Sequence, residues 1–409
     1  MLPSAATIVD EAEQIAPRPN APTRRRGRQQ AIRLHRWTGW FLLAWVVFES
    51  LTGAYLVVGN DIDRWIHHDR WVTTSGADVG PVAVVGAAQA SATAAGMADP
   101  RARQIGFPHS VNGVYYVDLQ DADGSDRVAY VDPGTGKVNA LIEPTGGAYA
   151  LVLRLHADFN RTEILGIRTT TIVGFLALLW LLNLILGFRA SRAHRRTLRQ
   201  ATRIRRGRGP FTFNLDLHKV AGLATIVPLA VLVITGLTFE FPRQTSVVLD
   251  AVTPGHLEAN ASRIPFSTPT AGAMRASLDE VIAGIDASGL GQVQSITIPL
   301  GNPTGMFVVA VDGGGYSPNR GVFSTNGRSL DVYVDQYSTA VVKVTDPVAR
   351  SVGQQIDEQW FSGVHFGQFG SWISRTIWVI AGLATVVLGV TAARMRLVKW
   401  SKRRKRAAT

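Results

Sequence analysis

Cysteine is missing from all 409 residues. Its absence excludes disulfides, thiolate metal ligands, iron–sulfur clusters and the C-x-x-C-H attachment of a covalent haem. A metal or haem in this chain would have to be held by histidine or carboxylate. A G-x-G-x-x-G following a strand and a phosphate-cradling P-loop are also missing, so no nicotinamide or flavin is expected to bind by a recognised motif. Any electron would have to come from a separate molecule. Residues 1–16 lack the apolar core of a signal peptide, so the first apolar run is expected to act as the export signal, and the polar, Pro-rich start to be a disordered tail. Acidic residues are the minority charge, 30 Asp and Glu against 42 Lys and Arg, for a net charge of +12. The basic residues cluster at the ends of apolar runs with no aromatic-interleaved module, so no nucleic acid is expected as a partner.

What the chain does contain is apolar sequence, 46% of its residues, gathered into a few long runs. Four of these, 37–58, 164–188, 220–241 and 372–393, approach or exceed the roughly 20 apolar residues that cross a lipid bilayer. The expectation is a four-helix transmembrane bundle with helices at 32–58, 164–188, 217–241 and 372–393. Lys and Arg near span ends are retained on the cytoplasmic side. Here they crowd the basic tail 1–31 and the few residues after it that precede the first apolar run (Arg24 to Arg36), the Arg-rich connection 189–216 and the basic tail 394–409. Both termini and the middle connection are therefore expected in the cytoplasm.

The outer segments, 59–163 and 242–371, repeat one design. The first carries an Ala-rich helical stretch (82–97), then strand-like "GVYYVDLQD", then "RVAYVDPGTGKVNAL", in which 132–136 is a tight-turn signal. The second carries a helical stretch (270–288), then "VQSITIPL" and "GMFVVAVDG", then "DVYVDQYSTAVVKVTD". Each is expected to be a helix on a small antiparallel sheet, and neither fold assigns a function by itself.

The first and third spans share a pattern, L-H-x-x-x-G, twelve residues, then T-G, in "LHRWTGWFLLAWVVFESLTG" and "LHKVAGLATIVPLAVLVITG". His35 and His218 open these spans; His156 and His365 stand just before the second and fourth, on the outer side. About 18 helical residues separate the two levels, roughly 27 Å, which excludes one four-histidine site and leaves two sites of two. Haem suits such a site better than zinc, which prefers four ligands. Any one of the four histidines would read as an interfacial anchor or helix cap; four of them in two symmetric levels point to haem ligation. Gly39 and Gly222 follow the inner histidines by four residues, and Gly53 and Gly236 return to that face eighteen residues on, where a missing side chain lets a porphyrin approach.

Arg36 and Lys219 inside, and Arg168 and Arg375 outside, are either propionate partners or the ordinary cations of span ends. Glu49 lies within the first span, as a proton or quinone contact or facing a polar interior. Trp360, Phe361, Phe366 and Phe369 are either a docking edge near His365 or interfacial packing. His67, His68, His109, His194 and His256 show no partner pattern and are read as surface residues.

These motifs, with "VHFGQFG" before span four and the outer "YVDPGTGKV" and "VYVDQYSTAV", together resemble the PepSY-associated transmembrane family over most of the chain, from about residue 32 to 396. The resemblance implies two extracytoplasmic α+β PepSY-like domains on the bundle, in a multi-pass protein of the bacterial inner membrane. It also implies two haem b groups, with His35 and His218 ligating one and His156 and His365 the other. The implied activity is that of an oxidoreductase, a ferric siderophore reductase releasing Fe(II) outside, supplied by a quinol or a cytoplasmic reductase. No side chain is expected to act as an acid, base or nucleophile. One departure is visible: "STA" at 338–340 stands where the first outer motif has its Gly-containing turn. Other readings of the residues are a haem-free sensor or inhibitor whose outer domains bind a protein or peptide, and, more weakly, a haem or metal transporter.

Overall fold

The structure is a computed structural model that describes residues 21–109, 113–144, 147–191, 198–253, 264–269, 272–312, 329–345, 353, 356, 360–369 and 371–407. Among the described residues four helices are long and apolar enough to cross a bilayer: α1 (Ala21–Ile66), α4 (Thr169–Ser191), α5 (Pro210–Glu240) and α9 (Ser371–Ala407). Shorter helices include α2 (Pro81–Ala94), α3 (Ala148–Asp158), α6 (Pro242–Val252), α7 (Leu278–Ser288) and α8 (Phe361–His365). Side chains such as Phe41, Phe175, Val227 and Ile380 are more than half exposed along the long helices, as lipid-facing side chains of a span are.

Three of the long helices outrun their apolar cores, α5 by starting at Pro210, ahead of the expected 217. The disordered tail expected over 1–31 is helical from Ala21, and α9 carries its helix through the basic tail to Ala407. Arg, Lys, Gln and Ala are good helix formers, and a turn already nucleated in the span needs no new nucleus to propagate. Residues 1–20 lie outside the described part. The second span starts later than expected, at Thr169 instead of 164, because a two-stranded hairpin, β5 (Glu163–Ile164) with β6 (Ile167–Arg168), occupies the residues before it.

The chain divides into two compact units, one drawn from Met1–Val46, Leu178–Ala230 and Val386–Thr409, the other from Val47–Ala177 and Val231–Thr385. In the second unit each outer segment forms four strands: β1 (Arg101–Gly106), β2 (Tyr115–Gln120), β3 (Asp126–Val131) and β4 (Val138–Ile142), then β7 (Gln292–Thr297), β8 (Met306–Asp312), β9 (Ser329–Asp335) and β10 (Val341–Thr345). The expectation of one small sheet per segment needs correction. The two sets form a single antiparallel sheet in the order β10-β9-β8-β7-β1-β2-β3-β4, joined where β1 pairs with β7 through Gln104↔Thr297, Ile105↔Ile296 and Gly106↔Ser295. An unjoined β1 or β7 would present a row of unpaired backbone groups, and their mutual pairing removes both edges.

Alternation along the strands sends Ile105, Val117, Leu119 and Val131 of one half, and Val293, Ile296, Val309 and Val332 of the other, into one core under α2 and α7. Helix α2 meets it with Val84, Ala88 and Ala92, spaced by four along one face. The helical stretch expected from 270 begins only at Leu278, since Ser277 and Glu280 form a reciprocal capping box that sets the N-terminus, and Gly289 closes α7 in the left-handed conformation.

The two β-turns answer each other. Asp132 N–H donates to Lys137 O and Gly136 N–H to Asp132 O; Asp335 N–H donates to Ala340 O and Thr339 N–H to Asp335 O. Thr339, at φ 58°, takes the left-handed place that Gly136 holds at φ 68°. The "STA" departure thus keeps the same turn, with Thr in the position glycine fills in the first motif.

Candidate functional site

Helix α1 carries His35 and α5 carries His218, and in the first unit their rings lie 6.2 Å apart between centroids. His35 Nδ1 donates to Asn183 O on α4 at 3.1 Å, while the Asn183 amide donates back to His35 O and to Thr38 Oγ1. His218 Nδ1 lies 3.1 Å from Leu388 O and 3.0 Å from Thr391 Oγ1 on α9. Gly187 gives the His35 ring its seat, since a Cβ there would stand 2.9 Å from His35 Cε1.

The second unit builds the same arrangement from His156 of α3 and His365 of α8, with ring centroids 6.4 Å apart. The acceptors are now threonines of the long helices. His156 Nδ1 donates to Thr52 Oγ1 at 2.9 Å, and His365 Nδ1 to Thr235 Oγ1 at 3.0 Å. Each threonine hydroxyl spends its own proton on its helix, toward Phe48 O or Val231 O, so it must accept from the imidazole. The residue after each threonine is a glycine. A Cβ on Gly53 would stand 3.0 Å from His156 Cε1, and one on Gly236 3.2 Å from His365 Cε1. The T-G ending of the repeated motif therefore serves the histidine at that end: threonine orients the ring and glycine admits it. Gly39 instead faces the Asn183 amide, at 3.4 Å, and Gly222 faces Leu388, at 3.7 Å.

With Nδ1 of all four rings committed as donor, the lone pair is left on Nε2, the tautomer that a metal-ligating histidine with a second hydrogen-bonded nitrogen adopts. Burial pushes the His156 imidazole down to about 4 and the His365 imidazole, with help from the neighbouring His156, to about 3, so both are neutral at physiological pH. An imidazole nitrogen bonds a first-row metal at about 2.0–2.1 Å and lies about 1.1 Å from its ring centre, so two rings on opposite sides of one ion have centroids about 6.3 Å apart. The observed spacings, 6.2 and 6.4 Å, bracket that value. Among the described residues no three of His, Asp and Glu gather as a closed metal site would need. Two imidazoles at this centroid spacing with no third ligand beside them are a donor set that would suit a haem, which brings its own equatorial ligands, better than a closed metal site.

A family description, PepSY-associated TM region, matches residues 32–399. The chain belongs to that family. It is accordingly a multi-pass membrane protein, with α1, α4, α5 and α9 as its spans. No curated protein matches the sequence.

The remaining polar residues of this PepSY-associated protein sort by their partners. Glu49, on α1, places Oε1 3.2 Å from His156 Nδ1, and its Oε2 is buried without a hydrogen bond among the described residues. Arg375 donates to Val57 O and pairs with Asp61. Lys219 pairs with the fully buried Asp216, which also holds Arg205, and Arg36 and Arg168 are exposed. Of the aromatic residues near His365, Phe366 stacks on Phe239, whose ring also meets the His365 edge at 5.3 Å, and Phe369 packs on Trp378. His68 and His109 are exposed and His67 lies 3.8 Å from Asp63; His194 and His256 fall outside the described residues. Asn183, Thr391, Thr52, Thr235 and Gly187 were not singled out from the sequence. For the two threonines the repeated T-G was the available signal.

Proposed function

We propose that the protein is a transmembrane electron-transfer protein that holds two b-type haems, one between His35 and His218 and one between His156 and His365. In this reading it acts as an oxidoreductase that reduces an external ferric complex, a ferric siderophore, on the sheet-bearing, extracytoplasmic side. Both termini are cytoplasmic in this orientation, and the membrane is the bacterial inner membrane. The observation that carries the reading is the two imidazole couples with centroids 6.2 and 6.4 Å apart, each Nδ1 tied to an acceptor and no hydrogen bond to Nε2 among the described residues.

A haem held by two histidines would supply one-electron redox chemistry, which suits electron transfer and disfavours oxygen chemistry. The chain's own part is to orient the four rings through Asn183, Leu388, Thr52 and Thr235, and to keep the second pair neutral by burial. Reduction of Fe(III) to Fe(II) weakens hard-oxygen chelation, so delivery of a single electron releases the metal. The donor is a separate molecule, a quinol or a cytoplasmic reductase, because the chain has no recognised nicotinamide or flavin motif.

The test is a reduced-minus-oxidised visible spectrum of the purified protein, with haem quantified as the pyridine adduct. Two b-type haems per chain with low-spin, six-coordinate bands are expected. His218→Ala should lose one and spare the other, and His365→Ala should do the reverse. A colourless protein after haem is supplied sinks this reading and favours a haem-free sensor whose sheet binds a protein partner.

A further inference from the structure

Two short elements at the sheet-side ends of spans leave apolar side chains in the open, and neither takes part in the histidine sites. The first is the β5–β6 hairpin, paired Glu163↔Arg168 and Ile164↔Ile167 and closed at its base by Thr169, whose N–H donates to Thr162 O. Its two-residue turn has φ 52° at Leu165 and φ 75° at Gly166. Such a turn, left-handed at both positions, favours Asn-Gly or Asp-Gly. Leucine is disfavoured there by its backbone and again by its exposure, which is 96%, with Ile167 at 52%. Seating the tip out of water removes the second of these costs.

The second element is α6. Helix α5 ends at Glu240 and Pro242 opens α6 almost at once. Leu249 is buried on the inner face of α6, while Val247, Val248 and Val252 are 63%, 59% and 70% exposed, and with Ala251 they form one outward stripe, with the exposed Gln244 at its first turn. Arg243 and Asp250, seven residues apart, share one edge of that stripe and are exposed. An apolar face rimmed by charge is the pattern of a helix lying in the plane of a membrane interface.

We infer that the Leu165 hairpin tip and the Val247, Val248 and Val252 face of α6 are in-plane anchors seated in the lipid leaflet on the sheet side. The inference rests on the membrane-spanning character of the chain and not on its cofactors. Continuity with the spans selects lipid as the occupant. Leu165 stands four residues before the first residue of span α4, a reach of at most about 13 Å of extended chain. α6 starts two residues after span α5 ends. Segments so tethered begin at the depth of the headgroups.

The absence of cysteine makes the test clean, since one introduced thiol is the only label site. Leu165→Cys, Ile167→Cys and Val248→Cys, with Ala122→Cys in the exposed β2–β3 turn as control, would each carry a nitroxide in the full chain reconstituted into phosphatidylethanolamine and phosphatidylglycerol vesicles. Collision rates with oxygen and with a water-soluble nickel chelate are then compared. The three anchor sites should favour oxygen over the chelate several-fold relative to Ala122→Cys. A ratio equal to the control's places the sites in water and overturns the inference. Low collision with both reagents means that protein, a second copy or another segment of the chain, covers them, which overturns it equally.

Discussion

An imidazole oriented through Nδ1 has only Nε2 left to offer, and the four acceptors here come from two different kinds of group. His35 uses a backbone carbonyl, which any residue type would supply, and His218 shares the Leu388 carbonyl with the Thr391 hydroxyl; His156 and His365 use the threonine hydroxyls of the repeated T-G, which the sequence spells out. That is why the T-G pairs could be seen in the repeat and Asn183 and Leu388 could not. At the same scale, Thr339 shows a cost that a single substitution should reveal. A β-branched residue at φ 58° is strained by about 1–2 kcal/mol, part of which glycine returns as unfolded-chain entropy. Thr339→Gly should therefore stabilise the sheet by about 0.5–1 kcal/mol in chemical denaturation, and an unchanged or lower midpoint would contradict the strain.

The turn aspartates add a pH dependence. Burial pushes the Asp132 carboxyl up, but hydrogen bonds from Thr74, Thr135 and Gly134 outweigh it and hold it at about 2; Asp335 sits at about 2 against the same burial, held by Ser338 and Tyr337. With folded values below an unfolded value of about 3.9, they stabilise the fold above about pH 4, and that contribution is lost as pH falls toward 2. Asp132→Asn should cost about 2 kcal/mol at pH 7 and flatten the fall in stability between pH 4 and 2. A variant that keeps the full acid sensitivity of the parent would show that Asp132 does not carry it.

Among elements, the spans and most strands could be read from hydropathy and alternation, because lipid and a half-buried sheet each impose a period on side chains. Boundaries were less legible. The helix beyond each apolar core at Ala21 and Ala407 follows from propagation, which leaves no apolar mark, and the β5–β6 hairpin hid inside an apolar run because its tip is leucine. The β1–β7 junction was not legible at all, since 101–106 was not read as a strand and "VQSITIPL" was read only within its own small sheet. Ile105 and Ile296 are paired across it and fully buried. Ile296→Ala should cost about 3 kcal/mol and, because the core is shared, should raise hydrogen exchange in β1–β3 as well as in β7–β9. Faster exchange confined to β7–β9 would mean the two halves are energetically separate.

For the whole molecule, the sequence alone determined that this is a four-span protein with histidines in two levels and two strand-rich segments. Those features are matters of composition and period along the chain, where each residue's preference for lipid, water or pleat is expressed locally. Only the tertiary structure decided that the His35 and His218 rings, and the His156 and His365 rings, come within 6.2 and 6.4 Å of each other, which groups bond their Nδ1 atoms, and that two sheets are one. The physical reason is that carbonyl acceptors and strand edges are backbone features common to every residue. Which of them meet is set by packing across the fold, and side-chain identity does not record it.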